Sequence, residues 1–175
     1  MTSFPQRVLG VMRLDTATFE EIEADVSALP QAVLVVIASS VSAGIGLAPS
    51  LTLSTILVTI AWALVGWLAW ASLVNYLGGG LFPDAPTRVD LGQLARTIGF
   101  SAAPGIFLWS VALPWRRSWV FAVITAWMLA SMVVAVRQAL DFRSVWRALA
   151  VCLGGAVLAL MAAIAIGVVW GPVVS

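Results

Sequence analysis

The chain has 175 residues, 62% hydrophobic and 10% charged, with a net charge of +1, where an ordinary soluble domain carries roughly 25% charged residues. A water-soluble core could not hide that much apolar surface, and a charge so near neutrality points to no nucleic-acid partner. Histidine is absent and the only cysteine is Cys152, which excludes a disulfide within the chain and leaves no His/Cys set for zinc, iron-sulfur or haem, so no metal or cofactor is expected.

Residues 1–28 form a polar, acidic leader containing Arg7, Arg13, Asp15, Glu20, Glu21, Glu23 and Asp25. Without an early apolar run it does not read as a signal peptide, so the first membrane helix is expected to direct insertion. Thr18-Phe19-Glu20-Glu21 has the form of a capping box and predicts one short helix. On it Phe19, Ile22, Val26 and Leu29 share a face, while Glu20, Glu21, Glu23 and Asp25 point elsewhere, as in a helix lying along a membrane surface or against a bundle. These acids read first as a solvated face, and second as an attractor of cations or a dock for a basic partner. Their spacing does not match a calcium loop.

Residues 29–175 read as a five-helix transmembrane domain, because the apolar residues gather into blocks near the ~20 residues needed to cross about 30 Å of hydrocarbon. The spans are placed at about 29–48, 51–77, 91–113, 119–136 and 145–170. Pro49-Ser50 makes a tight turn after the first, and Gly78-Gly79-Gly80 is expected to stop the second. The third is long enough only if Leu91 to Ile98 extends it, and Pro104 should kink it by removing a backbone donor. The stretch Gly99-Phe100-Ser101-Ala102-Ala103-Pro104 reads as a packing hinge of small residues and proline.

All nine basic residues are arginine. Arg7, Arg13, Arg88, Arg96, Arg137, Arg143 and Arg147 fall on one side of this arrangement, and only Arg116 and Arg117 on the other. Positive residues are retained in the cytoplasm, which predicts N-terminus in and C-terminus out, as an odd number of spans requires. Trp115, Trp119 and Trp170 then fall at the outer interface.

Hydrolytic chemistry needs a nucleophile with a base, or a carboxylate pair in a cleft. The spans hold no Asp or Glu, and Ser39, Ser40, Ser42, Ser101 and Ser110 have no intramembrane Lys or Asp partner, so no catalytic residue is assigned and the chain reads as a non-enzyme. In the fourth loop Arg137 and Asp141 are four apart, as are Arg143 and Arg147, so each pair would share a face wherever the backbone is helical. These charges read first as loop-retaining groups that snorkel, and second as a headgroup site or gate at a cytoplasmic mouth.

Leu14-Asp15-Thr16-Ala17-Thr18-Phe19-Glu20-Glu21-Ile22, Gly99-Phe100-Ser101-Ala102-Ala103-Pro104 and Arg137-Gln138-Ala139-Leu140-Asp141 together resemble the Yip family, the Ypt/Rab-interacting membrane proteins, in its short bacterial form. The central stretch is similar to that family's Gly-Tyr-x-x-x-Pro motif, with Phe100 in place of tyrosine. The resemblance covers nearly the whole length. It implies five membrane helices with a cytoplasmic N-terminus and an external C-terminus, here in a bacterial inner membrane. From the residues themselves, Glu20, Glu21, Arg96, Gly99, Phe100, Pro104, Arg137, Asp141, Arg143 and Arg147 stand as interaction or hinge candidates. Eukaryotic relatives bind Rab-type GTPases without catalysis. The long cytoplasmic region with its Asp-Leu-Tyr type motif is missing here, which argues against GTPase binding.

Three functions are therefore expected in order. The first is a non-catalytic membrane scaffold or adaptor, acting by homo-oligomerisation or on other membrane proteins through small-residue faces such as Ser39, Ser42, Ala43 and Gly46, or Gly154, Gly155 and Ala159. The second is an oligomeric channel or transporter, disfavoured by the scarcity of polar groups at mid-bilayer. The third is an anionic-lipid-binding protein using Arg137, Arg143 and Arg147.

Overall fold

The computed structural model describes residues 2–47, 52–81, 90–113 and 117–170. Among them every regular element is helical, and five stretches are long and apolar enough to cross a membrane: Val26–Leu47, Leu53–Gly80, Leu91–Ala112, Ser118–Ala139 and Val145–Ala162. The elements in order are α1 (Phe4–Met12), α2 (Thr16–Ala24), a 3₁₀ turn (Val26–Ala28), α3 (Leu29–Leu47), α4 (Leu53–Val74) with a π-helical extension (Asn75–Leu81), α5 (Leu91–Ser101) with a 3₁₀ continuation (Ala103–Ala112), α6 (Arg117–Ala139) and α7 (Val145–Trp170). The Pro49-Ser50 turn, the loop with Arg88, and Pro114 to Arg116 lie outside the described residues.

The leader departs from expectation. It folds as two helices, not one, and the Thr18-Glu21 capping box does not form. Asp15 caps α2 instead, accepting from the Ala17 amide at 3.3 Å and from the Thr18 hydroxyl at 2.7 Å. A shorter, charged acceptor at the first free position outcompetes the threonine three residues on. Between the helices Leu14 sits at φ 59°. The Leu14 amide bonds the Val11 carbonyl and the Asp15 amide bonds that of Gly10, a Schellman end that turns the chain back on itself. A Cβ on Gly10 would collide with Thr18, so α1 and α2 cross closely as an antiparallel hairpin.

The element of lowest mean hydropathy is the most enclosed. In the most apolar 18 residues of the third stretch, 72% are buried, against 33% or fewer in the other four. Leu94 to Ser101 are all buried, because α3, α4, α6 and the leader surround them. The rest of the protein is the solvent there, so polarity is tolerated if paired.

At Pro104 the helix does not simply kink. It tightens into 3₁₀ geometry for ten residues, and α3 supplies hydroxyl partners for its backbone. The Ser39 hydroxyl donates to the Ala102 carbonyl at 2.7 Å, and the Ser42 hydroxyl donates to that of Ile106 at 2.6 Å while accepting from the Trp109 amide at 2.8 Å. Gly46 lets this segment approach, since a Cβ there would strike the Leu108 carbonyl. The face Ser39, Ser42, Gly46, expected to join separate molecules, is thus used inside the bundle. Gly155 is likewise taken, with its Cβ position 3.0 Å from the Trp70 ring, whereas Gly154 has open space.

Two further boundaries differ. Gly78-Gly79-Gly80 does not stop the second span, which continues to Leu81 with a wider turn, and Gly78 lies against Leu140. In the fourth loop α6 ends at Ala139 and Asp141 takes φ 50°. The Phe142 amide bonds the Arg137 carbonyl and the Asp141 amide that of Gln138, a second Schellman end. Arg137 and Asp141 therefore share no helical face, and neither do Arg143 and Arg147, because Arg143 precedes α7.

Candidate functional site

The charged groups converge where the leader hairpin packs, at the end of the bundle formed by the start of α3, α5 and α7 and the close of α4 and α6. Arg7, on the inner face of α1, is 2% exposed. Its Nη2 donates to Asp25 at 2.6 Å and to Glu21 at 3.0 Å, and its Nη1 donates to Gln31 at 3.2 Å. Glu21 also accepts from the Thr2 amide at 2.9 Å and hydroxyl at 2.7 Å. Those two bonds and Arg7 hold its carboxyl down at about 2. Asp25 is held at about 2 by Ser27 and then Arg7. Glu21 and Asp25 are thus not a solvated face but the counter-ions of a buried guanidinium.

Arg96 makes a second clamp. It is 5% exposed and donates from Nε to the Ile22 carbonyl at 3.3 Å and from Nη2 to the Glu23 carbonyl. These are last-turn acceptors of α2, where the unpaired carbonyls and the negative end of the helix dipole both favour a cation. Glu23 itself is half-buried, and desolvation, then Asp141 and Glu20, push its carboxyl up to about 7 against the opposing pull of Arg96. Glu20 stays exposed and accepts from Gln138 at 2.9 Å. The last fastening is at the hairpin tip, where the Trp127 indole donates to the Met12 carbonyl at 2.9 Å and stacks on Phe107 with centroids 6.1 Å apart.

Of the residues singled out from sequence, Glu20, Glu21 and Arg96 meet at this site, and Asp141 reaches it electrostatically through Glu23. Phe100 is fully buried, with its ring edge-on to Phe4 at 6.2 Å, so it secures α1. Gly99 packs on Ala32 and Trp67, whose indole donates to the Ala95 carbonyl at 3.0 Å. Pro104 belongs to the 3₁₀ segment, away from the charges. Arg137 bonds the Phe142 carbonyl across its own helix end at 3.3 Å, while Arg143 and Arg147 are exposed beside Trp146. Sequence reasoning missed Arg7, Gln31, Trp67 and Trp127. Arg7 carried one available signal, its place on the same face of a short helix as Val8 and Val11, where an unpaired arginine would be costly.

Two apolar recesses lie elsewhere in the bundle, the second reaching Met12 at the hairpin tip. One, of about 340 Å³, lies among Val36, Ser40, Gly66, Trp70, Ile98 and Met132. The other is a groove of about 760 Å³ between α1 and α3, lined by Phe4, Val8, Met12, Leu34, Ala38 and Ile106 among others. Among the described residues no group of three His, Cys, Asp or Glu is placed to hold a metal ion. Fold and site define a helical bundle with five potential membrane spans and a charge-latched N-terminal hairpin. No family model, curated protein or solved structure matches the chain.

Proposed function

We propose that the chain is a non-catalytic integral membrane protein of the Yip type, inserted with its N-terminus in the cytoplasm, that works as a scaffold or adaptor by associating with a second copy or another membrane protein. One observation carries this reading. Of the 22 residues of α4 only Trp67, Ala71 and Val74 are buried, so the half that begins at Leu53 offers Leu57, Val58, Trp62 and Val65 outward. Gly66 and Gly154 have open space around them, as close approach of helices in lipid requires. The charged groups at the leader end support the same reading, since Arg7 and Arg96 are engaged within the fold and line neither recess.

A channel has less support, because both recesses are walled by apolar side chains and the serines nearest them bond backbone carbonyls of their own chain. The headgroup reading is supported by Arg143, Trp146 and Arg147 facing outward where α7 begins.

The test is the mass of the full chain in mild detergent, with cross-linking in vesicles as a second readout. A homo-oligomer or a stable complex is expected, reduced by Gly66→Leu or Gly154→Leu, with helical content unchanged. A single chain that cross-links to nothing in its native membrane sinks the scaffold, and ion-selective conductance in liposomes replaces it with the channel.

A further inference from the structure

We propose that the α1–α2 hairpin is a wedge seated in the leaflet on its own side of the membrane, and that the protein therefore gathers where the bilayer is convex toward that side. The inference rests on the membrane-spanning reading above.

Depth comes first. The hairpin lies lengthwise on the bundle, for Glu20 meets Gln138 at the close of α6 while Met12 meets Trp127 nearer the middle of the same helix. The indole that bonds the Met12 carbonyl belongs to Trp127, twelve residues from the leader end of α6. Measured from Val136, where the apolar run ends, Trp127 stands nine residues in, about 14 Å at 1.5 Å per residue, nearly half of the roughly 30 Å of hydrocarbon. The reach of the indole shortens this, yet Met12 also lines a groove with Ala38 and Ile106, and Ala38 stands nine residues, about 14 Å, into α3. An element lying on the surface would meet neither.

The edge of the hairpin toward α3, with Phe4, Pro5, Val8, Leu9 and Met12 along it, suits that depth. Leu9 is 47% exposed and Leu34 of α3, across the groove, is 56% exposed, and Pro5, one turn before Leu9 on α1, is exposed as well. This apolar strip continues the lipid-facing surface of α3, so the occupants of the groove are acyl chains of the leader-side leaflet. Most charges of the hairpin gather at its open end; Arg13 and Asp15 stand exposed at the turn, the Asp15 carboxylate engaged in the α2 cap and the Arg13 side chain long enough to lean toward the headgroups.

The consequence is an unequal cross-section. Among the described residues the leader-side leaflet is pierced by five spans and two further helices, and the far leaflet by the five spans alone. Each added helix displaces lipid over a cylinder about 10 Å across. Displacement confined to one leaflet is relieved where that leaflet is expanded, the basis of curvature preference in inserted amphipathic helices.

The experiment reconstitutes the full chain into phosphatidylcholine–phosphatidylglycerol vesicles of mixed diameter and sorts them by which face carries the N-terminus. Severalfold higher protein per lipid area is expected in the smallest vesicles when the N-terminus is outside, and the opposite trend when it is inside. Leu9→Glu, which leaves Arg7 and Arg96 in place, should erase both trends while the protein still floats with the vesicles. A spin label on Leu9→Cys in a Cys152→Ala background should be reached by oxygen and shielded from an aqueous nickel chelate. Equal density at all diameters, or a label open to the chelate, overturns the wedge alone; failure to float with vesicles overturns the membrane reading and the wedge together.

Discussion

Glu23 sets the sign of a pH effect. Its carboxyl is pushed up to about 7 in the fold because burial, Asp141 and Glu20 oppose its charge, against an ordinary value of 4.5. Between those values the folded chain holds a proton that the unfolded chain has released, so this group's contribution to stability falls as pH rises from about 4.5 to about 7. Glu21 and Asp25 act in the opposite sense: held near 2, they stabilise above the usual carboxylate range and lose that effect only as pH falls toward 2. Thermal unfolding in detergent should therefore show a loss of stability toward pH 7 that Glu23→Gln flattens. An identical slope in that variant would show that the charge is not resisted where the structure puts it. Ser42 is the other residue with a sharp consequence, since one hydroxyl serves both the Ile106 carbonyl and the Trp109 amide. Ser42→Ala leaves both without it in an apolar setting and should cost about 1–2 kcal/mol, with Ser40→Ala, whose hydroxyl bonds only its own helix at Ile37, costing less.

Among the elements, the leader hairpin is held by the fully buried Val11, Phe19 and Ile22 and by a few long-range bonds, and the bonds are the part that a single substitution removes. Replacing Arg7 by Gln leaves Glu21 and Asp25 facing each other with no guanidinium between them. The loss should be about 2 kcal/mol, at the low end for a buried pair because Glu21 keeps part of its solvent. Amide exchange across residues 2–25 should accelerate while that of α5 does not; acceleration spread evenly over the bundle would mean that Arg7 supports the whole core and not the hairpin. Gly46→Ala addresses the joint between α3 and the 3₁₀ segment. Its new methyl meets the backbone carbonyl of Leu108, which cannot swing aside as a side chain can, so a loss of about 1–3 kcal/mol is expected in unfolding measurements. These elements also divide what sequence reasoning could and could not read. Long apolar blocks announce their spans because hydropathy accumulates over twenty residues and needs no partner. The hairpin does not announce itself: its caps compete locally at Asp15 and Thr18, its turn uses a leucine where glycine would be the signal, and its clamps join Arg7 to Asp25 and Arg96 to Ile22 across distances that periodicity does not encode. Gly99, Phe100 and Pro104 were legible as a place of close packing, while their partners Ala32, Phe4 and the α3 serines were not.

For the molecule as a whole, packing is unequal from end to end. The leader end is dense, with Val11, Phe19, Ile22, Leu94 and Phe100 fully or almost fully enclosed, while toward the far end Leu57, Trp62, Val123, Leu160 and Ile164 remain open. Stability should accordingly reside in the leader end, and association in the open one. The odd number of candidate spans makes a separate prediction: reporters placed before Thr2 and after Trp170 should sit on opposite faces of the membrane. Reporters on the same face would remove one span, most readily the third, whose residues are the least apolar.

That third span has a history implied by its surroundings. It carries Arg96, and an arginine near the middle of a helix costs about 2.5–3.5 kcal/mol on entering lipid by way of the translocon, somewhat less nearer the end. The two hydroxyls that serve its 3₁₀ half stand on α3, which leaves the ribosome earlier, and the carbonyls that receive Arg96 are made earlier still. On the membrane-spanning reading proposed above, the nascent third segment finds its own solvent already waiting in the chain ahead of it, and a ribosome-bound chain lacking α1 to α3 is expected to release that segment into water.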